Sequence, residues 1–113
     1  MKYLLLVCAD PALEFAPEQQ AVLASDTESW TEEMDSRGVR LQGSRLQSIS
    51  DATTVRRRDG DVLVADGPFA ETKEYIAGFD VLDCVDLDEA IEVAAKHPMA
   101  QYGTLEVRPF WKP

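Results

Sequence analysis

The sequence KYLLLVC, residues Lys2 to Cys8, is a continuous apolar run of strand length near the start of the chain. A run without polar alternation is typical of a central strand that is covered on both faces. Asp10 and Pro11 follow directly and end it. The run therefore predicts the middle strand of a sheet around which the other elements are arranged.

A long helix is predicted after this strand. Pro17 suits the first helical position, and Glu18 lies in the positively polarised first turn. Gly38 is a suitable C-terminal stop. One helical face is marked by residues at spacings of four, three and four, namely Leu23, Thr27, Trp30 and Met34. Thr27 is thus a polar residue on the stripe that should face the core.

A hairpin is predicted in the middle of the chain. Val39 to Gln47 has a weaker strand pattern, and a polar loop follows from Ser48 to Ala52. The segments Thr53–Arg58 and Asp61–Ala65 then flank Asp59-Gly60, a strong two-residue hairpin signal.

The last third of the chain predicts a strand, a helix and a strand. Gly78 to Val85 alternates like a half-buried strand, and Asp86 with Glu89 forms an acidic capping box. The helix should end at His97, because Pro98 disfavours helical geometry before it. Gly103 to Arg108 is the final strand. The apolar face of the helix should consist of Leu87, Ala90, Ile91, Ala94 and Ala95.

This order of elements predicts one α+β domain over residues 1–113, a ferredoxin-like βαββαβ plan with an extra β-hairpin. Such a plan covers one sheet face with two helices and leaves the other face in need of cover. A second copy of the chain is the simplest cover, so a homodimer with packed sheets is expected.

Composition narrows the class of function. The chain has 113 residues, is 45% hydrophobic and carries a net charge of −10. This charge disfavours nucleic-acid backbones and anionic membrane surfaces as partners. No stretch suits a signal peptide or a membrane span, so a cytoplasmic location is expected.

The sequence predicts neither a metal site nor a cofactor. It has a single histidine, His97, and two distant cysteines, Cys8 and Cys84, each inside an apolar run. Cysteines without close spacing favour buried apolar groups over a disulfide or a zinc site. His97 at a helix C-terminus favours a capping role for a protonated imidazole.

The segment DGPFAETKE, from Asp66 to Glu74, is the one site-like feature. Its charged cluster could hold an acid–base carboxylate, Asp66, beside a lysine, Lys73. The alternative is a rigid hairpin end. Asp66 would then accept backbone N–H bonds, and Phe69 would anchor the turn in the core.

At this segment the chain resembles the DGPF-domain branch of the YCII-related superfamily. The resemblance covers nearly the whole chain. Besides DGPF it includes Glu71 to Glu74, the preceding RDGDVLVA, the later VDLDEAIEVAAKHP and the final GTLEVRP. It implies a ferredoxin-like fold assembled as a dimeric α+β barrel, with a cleft between sheet and helices.

The resemblance also bears on activity. A His–Asp pair is proposed to act in the cleft of the wider superfamily, and a member is similar in fold to small lyases and isomerases. Many DGPF relatives carry a histidine three residues before the aromatic that matches Trp30, where this chain has Thr27. A hydroxyl cannot replace imidazole as a general base near neutral pH. Thr27 could still bind a ligand, or it could bond its own helix carbonyl.

The arginine run of the predicted hairpin offers a second candidate site. Arg56 and Arg58 share one face of a strand, while Arg57 points the other way. They could bind a carboxylate or phosphate ligand bidentately. The alternative is an edge hairpin whose charges prevent edge-to-edge association.

Three hypotheses follow. The leading one is a homodimeric binding or accessory module that holds a small polar or anionic metabolite in a cleft near Thr27 and Asp66. The second is a lyase or isomerase that uses Asp66 as acid–base group, with Lys73 or Arg56 steadying an anion. The third, which some DGPF relatives suggest, is a regulatory partner of an alternative sigma factor.

Overall fold

A computed structural model describes all 113 residues, from Met1 to Pro113. Two α-helices and six strands follow one another along the chain, with 3-10 helices at Ile49–Asp51 and Pro98–Gln101. The elements are β1 (Lys2–Ala9), α1 (Pro17–Ser36), β2 (Arg40–Arg45), β3 (Thr53–Arg58), β4 (Asp61–Asp66), β5 (Tyr75–Asp83), α2 (Leu87–Ala95) and β6 (Thr104–Pro109). The predicted α+β, ferredoxin-like class is confirmed.

The main sheet has four strands in the order β2-β5-β1-β6, and every pair is antiparallel. The apolar run at the start of the chain forms β1, which lies between β5 and β6, so its central position is confirmed. The strands β3 and β4 pair only with each other.

Strand register decides which residues share a face of the sheet. Leu5 of β1 lies opposite Asp80 and Val107, whereas Leu6 lies opposite Phe79 and Glu106. Directly opposed residues of antiparallel strands point to the same side. The Leu5 side is therefore one face, and the Leu6 side is the other.

Both helices pack on the Leu5 side, where the hydrophobic core lies. Trp30 and Met34 of α1 are buried there, and the indole Nε1 of Trp30 donates a hydrogen bond to the carbonyl of Val93 in α2 at 3.0 Å. The predicted stripe on α1 thus faces the core. The buried core consists of Tyr3, Leu5, Trp30, Met34, Val39, Leu82, Cys84, Ala90, Val93 and Ala94.

Two details of α2 differ from the prediction. The helix ends at Ala95 rather than His97, because His97 caps the 3-10 helix that follows. Leu87 and Ile91 were expected in the core, but each is about half exposed. The predicted Ala95 is exposed as well, whereas Ala90 and Ala94 are buried as predicted and Val93 completes the buried stripe, so small side chains let α2 approach the sheet closely.

The other side of the main sheet has no covering layer within the chain. We call it the open face, and its centre is formed by the half-buried Leu4, Leu6, Cys8, Phe79 and Val81. The prediction that β1 is covered on both faces is therefore wrong for the single chain. Cys8, expected to be buried, is only partly so because it lies on this face.

One buried carboxylate ties the edge strand β2 to the sheet. Asp80 in β5 is buried on the helix side and accepts a hydrogen bond from Nε of Arg40 at 2.7 Å. The same guanidinium donates to Asp35 of α1 at 3.0 Å. Gly43 makes room for this arrangement, because a Cβ there would collide with the Asp80 carboxylate and the Phe79 carbonyl.

The β3–β4 hairpin, Thr53–Asp66, projects from the four-stranded sheet and is called the arm below. Its turn residues Asp59 and Gly60 both have positive φ, at 51° and 82°, as a two-residue type I′ hairpin requires. The radius of gyration is 16.1 Å, whereas a compact domain of this length has about 13 Å. The arm and the single covered face account for this extended shape.

Neither α-helix combines the length and the apolar character needed to cross a membrane. The longer one, α1, carries Glu28, Glu32 and Asp35 on exposed positions.

We predict that Leu5→Ala lowers the free energy of unfolding by about 3 kcal/mol, because it removes a fully buried side chain and leaves a cavity. The matched change Leu41→Ala, at a half-exposed position in β2, should cost less than about 1 kcal/mol. Urea unfolding at one protein concentration measures both. Equal losses would contradict the assignment of the core to the Leu5 side.

Candidate functional site

The DGPF segment begins where β4 ends, and it closes the base of the arm. Gly67 has φ of +92°, a conformation that favours glycine. Its N–H donates to the carbonyl of Ala52 at 2.7 Å, and its carbonyl accepts from the Thr54 hydroxyl at 2.8 Å. Pro68 has no N–H and ends the ladder. The predicted turn chemistry is confirmed.

A cavity of about 560 Å³ lies beside this turn, and we call it the loop cavity. One wall is the DGPF loop and the start of β5, and the other is the segment after β2 with its 3-10 helix. The lining residues are Leu46, Gln47, Ser48, Ile49, Asp51, Ala52, Pro68, Phe69, Ala70, Thr72, Glu74, Tyr75 and Ile76. Most of this lining is apolar, and its two ionisable carboxylates belong to Asp51 and Glu74.

Phe69 lies at the rim of the loop cavity with 79% of its surface exposed. The prediction that it anchors the turn in the core is therefore wrong. The reason is the position of the arm: its base stands off from the main sheet, so no core lies behind the loop. An exposed aromatic beside a cavity is available to a ligand or to a second protein surface.

Polar contacts hold the rest of the loop. The Thr72 hydroxyl donates to the carbonyl of Glu74. The Glu74 carboxylate in turn accepts from the Thr104 hydroxyl at 3.1 Å, which ties the loop to β6. At the arm, the guanidinium of Arg56 donates to the carbonyl of Phe69 at 3.4 Å. These contacts join the loop beside the cavity to β6 at one end and to the arm at the other.

None of the predicted site residues of the arm and loop lines this cavity, and Arg58 lies at the far end of the arm, opposite Asp61. Asp66 is exposed, and its carboxylate accepts no hydrogen bond, so the expected backbone N–H donors are absent. Lys73 is exposed and makes no ion pair. Arg56 and Arg58 share one side of β3, as predicted, and Arg58 donates to the carbonyl of Arg57 at 3.0 Å.

Thr27 satisfies its hydroxyl within its own helix. Its Oγ1 donates to the carbonyl of Leu23 at 2.7 Å, the i−4 bond that was the structural alternative for this residue. Thr27 is half-buried on α1. Its use as a ligand group stays a prediction.

A smaller cavity of about 240 Å³ lies close to Thr27, between α1 and the 3-10 helix Pro98–Gln101. Phe15 and Tyr102 meet there edge to face at 5.1 Å between ring centroids. The lining also includes the acidic Glu18 and Asp26. Thr27 and Asp66 line neither cavity, so their meeting in one cleft stays a prediction.

Comparison with known proteins identifies the family. A family model described as the YCII-related domain matches residues 1–112. The chain belongs to the YCII-related family. It is also similar to "Uncharacterized protein R00369" of Rhizobium meliloti (strain 1021), with 37% identity across 75% of this chain and 82% of that relative.

The only histidine of this YCII-related chain is buried against Trp30, with ring centroids 4.7 Å apart. Its Nδ1 accepts a hydrogen bond from the N–H of Met99 at 3.0 Å, so it caps the N-terminus of the 3-10 helix. Burial lowers the pKa of His97 to about 4. The predicted role as a protonated cap at the end of α2 is therefore wrong, because a buried ring that accepts at Nδ1 is neutral.

The two cysteines are both free thiols. Burial raises the pKa of Cys84 to about 11, and burial beside Glu106 and Glu74 raises the pKa of Cys8. A raised pKa reduces the thiolate fraction at neutral pH, so neither is an activated nucleophile.

Sequence reasoning missed the segment Ser48–Ala52 as a wall of the site, because it was treated as a polar loop. The available signal was the apolar pair Leu46 and Ile49 on either side of Gln47-Ser48. An apolar residue in a polar loop needs a packing partner, and in this YCII-related protein both residues face the loop cavity.

We predict that His97 makes the protein less stable in acid. The pKa of His97 is about 4 in the folded protein and 6.5 in the unfolded chain. Its contribution to the free energy of unfolding is therefore complete above pH 6.5 and is lost as pH falls towards 4. This difference between the two pKa values corresponds to a loss of roughly 3 kcal/mol in the free energy of unfolding. His97→Asn keeps a cap acceptor for Met99 but does not titrate.

Urea unfolding at pH 7 and pH 4 should therefore show a smaller acid loss for His97→Asn than for the natural chain. The single imidazole also makes an NMR titration unambiguous. An imidazole that titrates near pH 6.5 in the folded protein, or equal acid losses in both proteins, would contradict this assignment.

Proposed function

We propose that this YCII-related protein is a homodimeric binding module that holds a small polar molecule in the loop cavity, and that it belongs to the DGPF branch. The observation that carries the proposal is the position of the DGPF loop. Pro68, Phe69, Ala70 and Thr72 together form one wall of the cavity. A volume of about 560 Å³ is within the range of small-molecule sites, about 300–1,000 Å³.

The lining favours one class of ligand. Its carboxylates, Asp51 and Glu74, accept hydrogen bonds, and no lysine or arginine side chain is among the lining residues. A small molecule with an apolar body and an amine or hydroxyl group fits this chemistry. An anionic metabolite would instead depend on Arg56, whose guanidinium lies at the Phe69 carbonyl beside the rim.

Binding is proposed rather than catalysis because of the state of the candidate acid–base groups. Asp66 is exposed and has no hydrogen-bonding partner to position it. The imidazole of His97 is buried, and its Nδ1 lone pair is used by Met99. General acid–base catalysis needs a positioned group whose pKa lies near the operating pH.

The homodimer is supported by the open face. Leu4, Leu6, Phe79 and Val81 form an apolar centre between more polar edge strands, which is the composition of a protein interface. A chain of this size gains stability by burying such a face against a second copy.

We predict that, from a fragment mixture of small amines, alcohols and carboxylic acids, the amines and alcohols bind the loop cavity. In NMR titrations, amine and alcohol fragments should shift the backbone amides of residues 48–52 and 69–72. Ala70→Phe fills the cavity and should abolish these shifts, whereas the matched change Ala24→Phe on the exposed side of α1 should not.

Two results would overturn the binding proposal. One is the absence of shifts at these amides with every fragment at millimolar concentration. The other is unchanged fragment binding by the Ala70→Phe protein.

We also predict a dimer by size-exclusion chromatography with light scattering. Leu6→Glu places a charge at the centre of the open face and should give a folded monomer. The matched Leu87→Glu, at a half-exposed position in the first turn of α2, should remain dimeric. A monomeric natural chain at micromolar concentration would refute the homodimer.

A further inference from the structure

The two sides of the arm differ in chemistry. Val55 lies opposite Val64 and Arg57 opposite Val62, so three valines share one side with Arg57. This side is called the valine face. Arg56 lies opposite Leu63 on the other side, with Arg58 next along the strand.

The valine face has no cover within the chain. Val55, Val62 and Val64 are 64%, 65% and 64% exposed. On the other side Arg56 donates to the Phe69 carbonyl, so that side is turned towards the chain's own DGPF loop. The three valines therefore point away from the DGPF loop of their own chain, so this loop does not cover them.

An isolated arm of this kind is poorly stabilised. A two-stranded hairpin is marginal in water unless a further layer packs against it. The contacts that fix the arm to its chain are at its base, at Gly67 and Ala52. Three adjacent exposed valines on a hairpin indicate that the covering layer comes from outside the chain.

Charge and symmetry favour a second copy of this chain as that layer. The arm has three arginines and three aspartates and is neutral, so the remaining residues carry the whole net charge of −10. A neutral arm can approach an acidic partner without added net repulsion. The chain also has two uncovered apolar surfaces, the valine face and the open face, which two identical subunits can cover reciprocally.

The shape of the chain fits this arrangement. Its extents are 47 × 45 × 20 Å, so the arm extends within the slab of sheet and helices rather than along its thin direction. The arm makes few contacts with the other helices and strands of its own chain, so its valine face stays available to a neighbouring subunit. Each six-residue strand of the arm spans about 20 Å.

We propose that the valine face of each arm packs on the partner subunit, so that two reciprocal arm contacts join the homodimer in addition to the open face. This inference rests on the proposed homodimer and adds a surface that lowers the dimer dissociation constant. The arm is then an assembly element, and its arginine side stays directed at the loop cavity.

Hydrogen–deuterium exchange of the full chain, above and below the dimer dissociation constant, tests the inference. Amides of residues 53–66 should exchange more slowly in the dimer. The double variant Val62→Thr and Val64→Thr keeps the β-branched shape of the arm and should raise the dimer dissociation constant at least about tenfold. The matched Val85→Thr, 77% exposed before α2, should leave it unchanged.

The outcomes distinguish failure of the proposed arm contact from failure of the proposed homodimer. A dimer whose arm amides exchange equally fast at both concentrations, or whose dissociation constant the double variant leaves unaltered, overturns the arm contact and leaves the homodimer in place. A natural chain that stays monomeric at every concentration overturns both. The exchange measurement on the natural chain requires no variant to fold.

Discussion

The structure depends on the one-sided cover of its central strand. β1 is apolar on both sides, yet the chain supplies only two helices, and both pack on the Leu5 side. Burial there removes Leu5, Met34 and Leu82 from water completely. The side with Leu6 and Phe79 is left with no layer, although the centre of this side is apolar. A sheet with two apolar faces and cover for one has an unsatisfied surface, and the hydrophobic effect favours its burial in an assembly.

Local patterns predicted the elements well because their causes are local. The spacing of Leu23, Trp30 and Met34 identifies the buried side of α1, since helical geometry alone decides which residues share a face. Asp59-Gly60 predicts the arm for the same reason: both residues take the positive φ that a tight hairpin requires.

The errors arose where a side chain's environment depends on distant parts of the chain. Phe69 was expected in the core, but it lies at the rim of the loop cavity and its ring is exposed. Ile91 fits the helical pattern, but Val93 and the alanines already fill the contact with the sheet. Ser48–Ala52 has a polar composition, and its role as a cavity wall follows only from the hydrogen bond between Ala52 and Gly67.

The candidate site shows the same division between local and distant causes. Thr27, a candidate ligand-binding residue, and His97, the only histidine, both satisfy their hydrogen bonds within a few residues. The imidazole lies against Trp30, and burial lowers its pKa to about 4, so at neutral pH it packs as a neutral ring. The DGPF segment is therefore informative mainly through the shape that it imposes on the chain. Gly67 adopts the positive φ of this turn, and Pro68 ends the strand pairing because it has no N–H.

That turn also connects the two proposals. The N–H of Gly67 binds the Ala52 carbonyl, and Ala52 and Pro68 are at once the base of the arm and part of the cavity wall. A ligand that tightens the contact between the two walls acts on the same hydrogen bond that orients the arm. If the arm packs on a partner subunit, ligand binding and dimerisation share this element. Thermodynamic linkage then requires that any effect of ligand binding on dimerisation is matched by an equal effect of dimerisation on ligand binding. Under the two proposals, the short connection between arm and loop couples dimerisation to occupation of the cavity.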